Sequence, residues 1–339
     1  MSTLPPVREF VTRSGLRIYR IPCQVFENLS ARVYLVLGAG PPTLIDSGSG
    51  QGKSTAQILA GLETVRSEFG ETVRPADIGR IIVTHGHLDH VGGLADLLPH
   101  MNAAVAVHPL DQRPLIACDE YAVLGNRRLD GFLQQAGVDA DERARLVATS
   151  RFVRHRRRNV PVGILLSDGQ ELDGLRIIHT PGHSPGHVCI AAGDVLLSAD
   201  HILARTLPQQ WPESLTPYTG VGHYLDSLEK IERIDGLTMA LAAHEPVIHD
   251  VYARIATIRA SQQRRLERVF DLVRTSEAPP SIAEVTRRMY ADAHGFRGVL
   301  ALTDVGARVE YHHQRGRLAV ANLDEVERKE RPVYRYVVV

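Results

Sequence analysis

The run His85-Gly86-His87-Leu88-Asp89-His90 follows directly on an apolar, β-branched segment, Arg80–Thr84 (RIIVT). Two imidazoles and a carboxylate at alternate positions, with a third imidazole beside the carboxylate, converge when a strand ends in a tight loop. Gly86 gives the backbone freedom to turn there. The pattern therefore demands a buried strand that runs straight into a polar loop. Imidazole and carboxylate donors suit zinc, manganese or iron(II), zinc being the commonest. The three cysteines, Cys23, Cys118 and Cys189, are far apart and form no CxxC pair, which argues against a thiolate site or a disulfide framework. The bland alternative, four polar residues on a surface loop, ignores a second cluster: four more histidines lie between residues 179 and 201.

The flanking sequence reads as short strands separated by turns. Ala31–Leu37 and Thr43–Ile45 are apolar and β-branched, with Gly38–Pro42 as a hairpin connection. Asp46 and the glycine-rich stretch Ser47–Gly52 follow, and Lys53–Phe69 carries Ile58, Leu59, Leu62, Val65 and Phe69 on one helical face. Val105–His108, Gly163–Leu166, Leu175–Ile178, Val188–Ala191 and Val195–Ser198 are further strands, while Leu129–Gln135 and Asp141–Ala148 read as helices of an insertion at about 111–166. Such an order, with no regular βαβ repeat, predicts an α/β fold of two packed sheets with outer helices. After His249 the texture changes. A helix over Ile255–Val273, a break at Pro279-Pro280, a helix Ile282–Tyr290 capped by Ser281, and a helix Val299–His312 precede two strands, Arg317–Leu323 and Val333–Val339. Helices followed by a hairpin are winged-helix architecture, so a domain of residues 1–250 and a second of 251–339 are expected.

With its downstream partners the histidine run resembles the HxHxDH motif of the metallo-β-lactamase superfamily, over roughly residues 16 to 249. Thr180-Pro181-Gly182-His183-Ser184-Pro185-Gly186-His187 is similar to that family's second histidine motif, and Ser198-Ala199-Asp200 to the motif supplying a bridging aspartate. Ala242-Ala243-His244-Glu245-Pro246 resembles the last motif, although the final histidine usually lies between glycines. Asp46 is similar to the family's structural first aspartate. The resemblance implies an αββα four-layer sandwich and two divalent metal ions, zinc or else iron or manganese. It places His85, His87 and His183 on one metal, Asp89, His90 and His244 on the other, and Asp200 between them. Asp89 also acquires the catalytic role of orienting a hydroxide bridging the metals. His187 is expected to support its turn and His201 to be a bystander. An aspartate at position 200 is typical of thioesterase, lactonase and nuclease branches, including glyoxalase II, and β-lactam-hydrolysing branches generally lack it. The C-terminal segment resembles the winged-helix appendage of the subgroup containing a human mitochondrial endoribonuclease.

The expectation is a metal-dependent hydrolase of a small thioester, lactone or related ester, with a nuclease or phosphodiesterase acting on RNA or DNA as the alternative and a non-enzymatic descendant as a distant third. Lys+Arg and Asp+Glu balance at 39 each, so no overall charge favours nucleic acid or an anionic membrane. Residues 250–339 hold 16 basic against 12 acidic residues, too mild an excess to indicate DNA reading; pocket shaping or homodimer contact suits that segment better. Residues 1–10 contain no apolar signal-like core, and no apolar run is long enough to span a bilayer, so a cytoplasmic location is expected. The basic run Arg151–Arg158 reads first as a solvated face, with Arg154 as a candidate clamp for an acidic substrate. Tyr224, opening a helix before the last motif, either faces the cleft or packs in the core. Ser47–Ser54 nearly matches a phosphate-binding loop but has Ser47 where that motif needs glycine.

Overall fold

The computed structural model describes residues 4–38, 40–154 and 158–339. The chain divides into two compact units, each discontinuous in sequence. The first comprises 1–118, 156–208 and 227–255 and contains both large sheets. Its seven-stranded sheet runs in chain order through β1 (Arg8–Val11), β2 (Arg17–Phe26), β3 (Leu29–Leu37), β4 (Thr43–Ile45), β5 (Arg80–Ile82), β6 (Ala104–Val107) and β7 (Ile164–Leu165). Pairing is antiparallel as far as β4 and parallel beyond it. The five-stranded sheet has the order β12-β11-β10-β9-β8, from β8 (Glu171–Leu172), β9 (Leu175–His179), β10 (Val188–Ala192), β11 (Val195–Ala199) and β12 (Met239–Ala242).

The sheets meet face to face. Ile18, Tyr34, Val36, Ile45 and Ile82 of the larger sheet share one buried cluster with Ile177, Val188, Ile190, Val195 and Leu197 of the smaller. The opposite face of the larger sheet is covered by α1 (Ser54–Glu68), whose Ile58, Leu62 and Val65 pack with Ile21, Leu35, Leu44 and Ile81. β10 and β11 are buried at every position, so both faces of the smaller sheet's centre are shielded too. Each fully buried aliphatic side chain contributes about 1.5–3 kcal/mol. The inter-sheet cluster alone therefore exceeds the roughly 1–3 kcal/mol cost of a strained backbone residue, and the unit tolerates such strain at its rim.

β1 and β2 were not foreseen from the sequence. Pro22 argues against a central strand because it cannot donate to the ladder. β1, however, pairs only with Arg17–Arg20, so beyond Arg20 β2 has a partner on one side alone, and the missing N–H costs nothing. Short helices α2 (Leu88–Val91), α3 (Leu94–Leu97) and α4 (Arg113–Ile116) follow the strand ends.

The second unit gathers 119–155, 209–226 and 256–339. It departs from the single cut expected near residue 250, and the reason is a common core. Leu129, Phe132 and Leu133 of α5 (Cys118–Gln135) and Leu146 and Val147 of α6 (Ala140–Arg154) share one buried cluster with Val269, Val285, Val305 and Tyr336. The chain passes through α7 (Val221–Glu232) and α8 (Val251–Arg274) to α9 (Ile282–Met289) and α10 (Gly295–Gln314). An antiparallel hairpin follows, β13 (Leu318–Val320) with β14 (Tyr336–Val338), and α11 (Leu323–Arg328) lies in its connection. Ser281 caps α9 as expected, its hydroxyl accepting from Glu284 N while Glu284 accepts from Ser281 N. Among the described residues no helix is long and apolar enough to cross a membrane.

Candidate metal centre

All the sequence-derived metal candidates lie in the first unit, at the ends of its strands. β5 delivers the loop into α2, which carries His85, His87, Asp89 and His90. The loop between β9 and β10 brings His183, the end of β11 brings Asp200, and the segment after β12 brings His244. The side chains converge in two groups, His85–His87–His183–Asp200 and Asp89–His90–His244, within each of which the candidate ligand atoms lie within 4.8 Å of one another. Asp200 faces both groups. Its Oδ2 is 3.6 Å from His183 Nε2, 3.9 Å from His85 Nε2 and 3.6 Å from His90 Nε2, and its Oδ1 is 3.4 Å from His244 Nε2. Asp89 Oδ2 lies 3.2 Å from His244 Nε2.

Backbone strain aims two of the carboxylates. Asp46, directly after β4, has φ 64°, and Ala199, before Asp200, has φ 44°, both in the left-handed region that non-glycine residues avoid. The β11–β12 register shifts between Leu197 and Ala199, turning Asp200 inward. Asp46 Oδ1 accepts from Thr84 N at 2.8 Å, and Asp46 Oδ2 lies 2.8 Å from His90 Nδ1, so His90 presents Nε2 to the cluster. His244 Nδ1 is likewise held 2.9 Å from Ser30 O. His85 Nδ1 lies 3.2 Å from Thr84 Oγ1.

Burial, helped by neighbouring imidazoles, pushes His85 and His87 well below the ordinary imidazole range, leaving neutral rings whose lone pairs suit a cation. At His90 and His244 burial acts the same way but the carboxylates outweigh it. Asp46, Asp200 and Asp89 hold His90 well above its usual value, and Asp200 and Asp89 raise His244 to about 10. Burial would raise Asp89 and Asp200, yet His90 and His244 keep both below the usual carboxylate range. His90 Nε2 is buried without a hydrogen bond, its nearest carboxylate oxygens 3.6 and 3.8 Å away. An orphaned, inward-facing nitrogen among carboxylates is what a cation site looks like with its protein ligands alone, and nitrogen and oxygen donors of this kind suit zinc, iron or manganese.

Asp111 is a supporting residue that no local pattern marks. Buried, it accepts from Gly86 N at 2.8 Å, Ser184 Oγ at 2.7 Å and Gly186 N at 3.0 Å, tying the loop of His85 and His87 to that of His183. Gly86 itself is not in the left-handed region; a Cβ there would lie 2.7 Å from Pro114 Cγ, so close approach and not turning freedom explains it. His187 closes its loop, its Nδ1 2.8 Å from Thr180 Oγ1 and its carbonyl accepting from Thr180 N. His201 is fully buried, and burial takes it down to about 3. In the glycine-rich stretch Ser47, Ser49 and Ser54 are buried, Ser47 Oγ donates to His90 O, and a Cβ on Gly93 would come within 2.0 Å of Ser47 O. The stretch is packing around the His90 helix and not an open phosphate cradle.

Glu245 replaces the usual glycine after the last histidine without disturbing it. Its carboxylate accepts from the backbone N–H groups of Arg205 and Thr206 and from Thr206 Oγ1, bracing the loop after Asp200. Arg254 donates to Leu203 O and Thr206 O in the same loop. The Arg154 side chain and residues 155–157 lie outside the described residues, while Arg158 is exposed and paired with Asp96. Tyr224 is fully buried, the accessibility of a core residue and not of one lining an open cleft.

A sequence profile described as the metallo-beta-lactamase superfamily matches residues 28–271, spanning every one of these side chains. The chain belongs to the metallo-β-lactamase superfamily. Among known proteins it is similar to the probable metallo-hydrolase YflN of Bacillus subtilis, 28% identical over 51% of this chain and 61% of that protein. It is also similar to the atrochrysone carboxyl ACP thioesterase of Aspergillus chevalieri, at 24% identity over 79% of this chain and 73% of that protein. The human acyl-coenzyme A thioesterase MBLAC2 is 27% identical over 60% of this chain and 68% of its own. A metallo-β-lactamase family protein from Thermus thermophilus shares the fold with a TM-score of 0.73 at 24% identity, covering 95% of this chain and 98% of that one. A β-lactamase domain protein from Burkholderia ambifaria gives 0.74 at 22% identity, over 98% and 94%.

Proposed function

We propose that this metallo-hydrolase superfamily member carries two divalent metal ions, zinc or else iron or manganese, and hydrolyses a small thioester, with lactones and related esters as the wider class. The observation that carries the reading is Asp200, which faces both ligand groups through its two oxygens. In this reading His85, His87 and His183 hold one ion, Asp89, His90 and His244 the other, and Asp200 reaches both. When bound, the ions would polarise the scissile carbonyl and bring the pKa of water down to about 7. Asp89, kept ionised by His90 and His244, would accept a hydrogen bond from the attacking water and orient it. Asp46 and Ser30 fix the His90 and His244 rings so that this orientation needs no rearrangement.

The thioester preference is supported by the two relatives named as thioesterases. The C-terminal helices and hairpin are read as a winged-helix-like appendage that shapes the pocket or contacts a second copy, and the chain as a cytoplasmic protein that does not hydrolyse β-lactams. The test is turnover by metal-replete protein of an acyl-coenzyme A, a homoserine lactone and a single-stranded RNA. Metal-dependent thioester cleavage is expected; cleavage of RNA alone would replace this reading with the nuclease one.

A further inference from the structure

Three arginines stand in a row across the first strands. Arg8 of β1 pairs in register with Arg20 of β2, which pairs with Tyr34 of β3, and Arg32 lies two residues before Tyr34. By strand alternation all three share the face that carries Phe10, Ile18 and Tyr34, the face turned toward the smaller sheet. The Arg8 and Arg20 guanidinium carbons lie 5.2 and 5.9 Å from the same Phe10 ring centroid. The row sits where β12 ends: Tyr34 donates its hydroxyl to Ala242 O, and Arg32 N donates to Ala243 O, beside His244.

Like charges paired across strands are destabilising, and buried charged N–H groups without acceptors cost more. Yet Arg20 Nε, Arg32 Nε and Arg32 Nη1 are buried with no hydrogen-bond partner. The sheltered Arg80 and Arg308 also leave one nitrogen each without a partner, but each meets an acid, Asp173 at 3.0 Å and Asp304 at 2.6 Å. Glu245, a carboxylate whose field reaches Arg32, is committed to Arg205 and Thr206. Burial lowers the pKa of both Arg20 and Arg32, and the neighbouring arginines add to the effect. Arg8 is exposed and the other two are half-buried, so the row is reachable from solvent.

We propose that the Arg8–Arg20–Arg32 row is an anion subsite that takes a phosphate or carboxylate group of a ligand. Planar guanidinium forks suit such oxyanions, and an anion at the solvent-facing part of the row would offset the positive charge gathered there.

The probe is sulfate, titrated at millimolar concentration and constant ionic strength into metal-replete, full-length protein while the melting temperature is followed. A saturable rise is expected, with half-saturation about tenfold higher in Arg20→Gln and Arg32→Gln, the loss of one charge-assisted hydrogen bond. Without sulfate, Arg32→Gln should melt no lower than the parent, because it removes an uncompensated charge. No saturable rise, or an equal rise in the variants, would overturn the proposal. So would a lower melting point of Arg32→Gln with no sulfate response in the parent, which makes Arg32 structural. The exposed Arg8→Gln keeps the titration decisive if either inner variant fails to fold. A second arm rests on the thioesterase reading and separates a phosphorylated substrate arm from a free anion. It compares KM for an acyl-coenzyme A and the same acyl N-acetylcysteamine thioester. A rise in KM of Arg32→Gln for the first alone assigns the subsite to the substrate, and equal KM values with sulfate dependence retained assign it to a free oxyanion. If no thioester is turned over, the functional reading falls while the sulfate titration still decides the subsite.

Discussion

The two groups of candidate ligands both face Asp200 but are held in place by different means. His85, His87 and His183 sit on loops tied together through backbone groups, with Asp111 gathering Gly86 N, Ser184 Oγ and Gly186 N. His90 and His244 are held ring by ring, each by an acceptor behind its Nδ1, Asp46 in one case and Ser30 O in the other. The electrostatics differ in the same sense. The first group is nitrogen-rich and its His85 and His87 are driven neutral by burial, whereas carboxylates dominate around His90 and His244. Apart from the Thr84 hydroxyl, which donates to Asp46 and lies 3.2 Å from His85 Nδ1, one half of the centre is set by the loops and the other by individual side-chain supports, and the halves should fail largely separately.

The largest effect is expected where they meet. Asp200→Ala removes the carboxylate that faces both groups, so metal content should fall at both and activity should drop by more than about 100-fold, beyond the roughly 10–100-fold of an outer-shell change. Elemental analysis after gel filtration, together with initial rates, reads both. Retention of a full metal complement would show that the groups do not depend on a common ligand.

Asp46→Asn should divide the halves. Asparagine tolerates the left-handed backbone that position 46 requires, so the loop is kept while the charge behind His90 is lost. Metal affinity of the His90 group is expected to weaken by roughly 10–100-fold, and that of the His85 group much less, because Asp46 reaches His85 only through the Thr84 hydroxyl. Stepwise competition with a chromogenic chelator resolves the two affinities, and an equal weakening of both would erase the distinction.

This contrast also explains what was legible in the sequence. The candidate ligands were readable because each arrives in a short local pattern, and HxHxDH after a buried strand leaves little freedom. The supports were not, because their partners are remote: Asp111 meets Gly86 and Ser184 across 25 and 73 residues, and Ser30 O meets His244 across 214. The two-sheet layout followed from apolar strands, but β2 was hidden by Pro22 and by its arginines. The second unit was hidden because Leu129 and Val147 join Val269 and Val305 in one core, a pairing no local pattern encodes.

The smallest effect concerns the residue that most departs from the family pattern. His244 is oriented from behind by Ser30 O, and Glu245 points its carboxylate to Arg205 and Thr206 instead of the metal centre. Glu245→Gly, which restores glycine after the histidine, should therefore leave metal affinity within about 2-fold, since neither the ligand nor its support is touched. What it removes is the acceptor for two backbone N–H groups, so amide hydrogen exchange at Arg205 and Thr206 should accelerate while that at His90 and Thr84 does not. A loss of metal comparable to that of Asp46→Asn would place Glu245 among the supports of His244, and the second half of the centre would then depend on the loop after Asp200 as well.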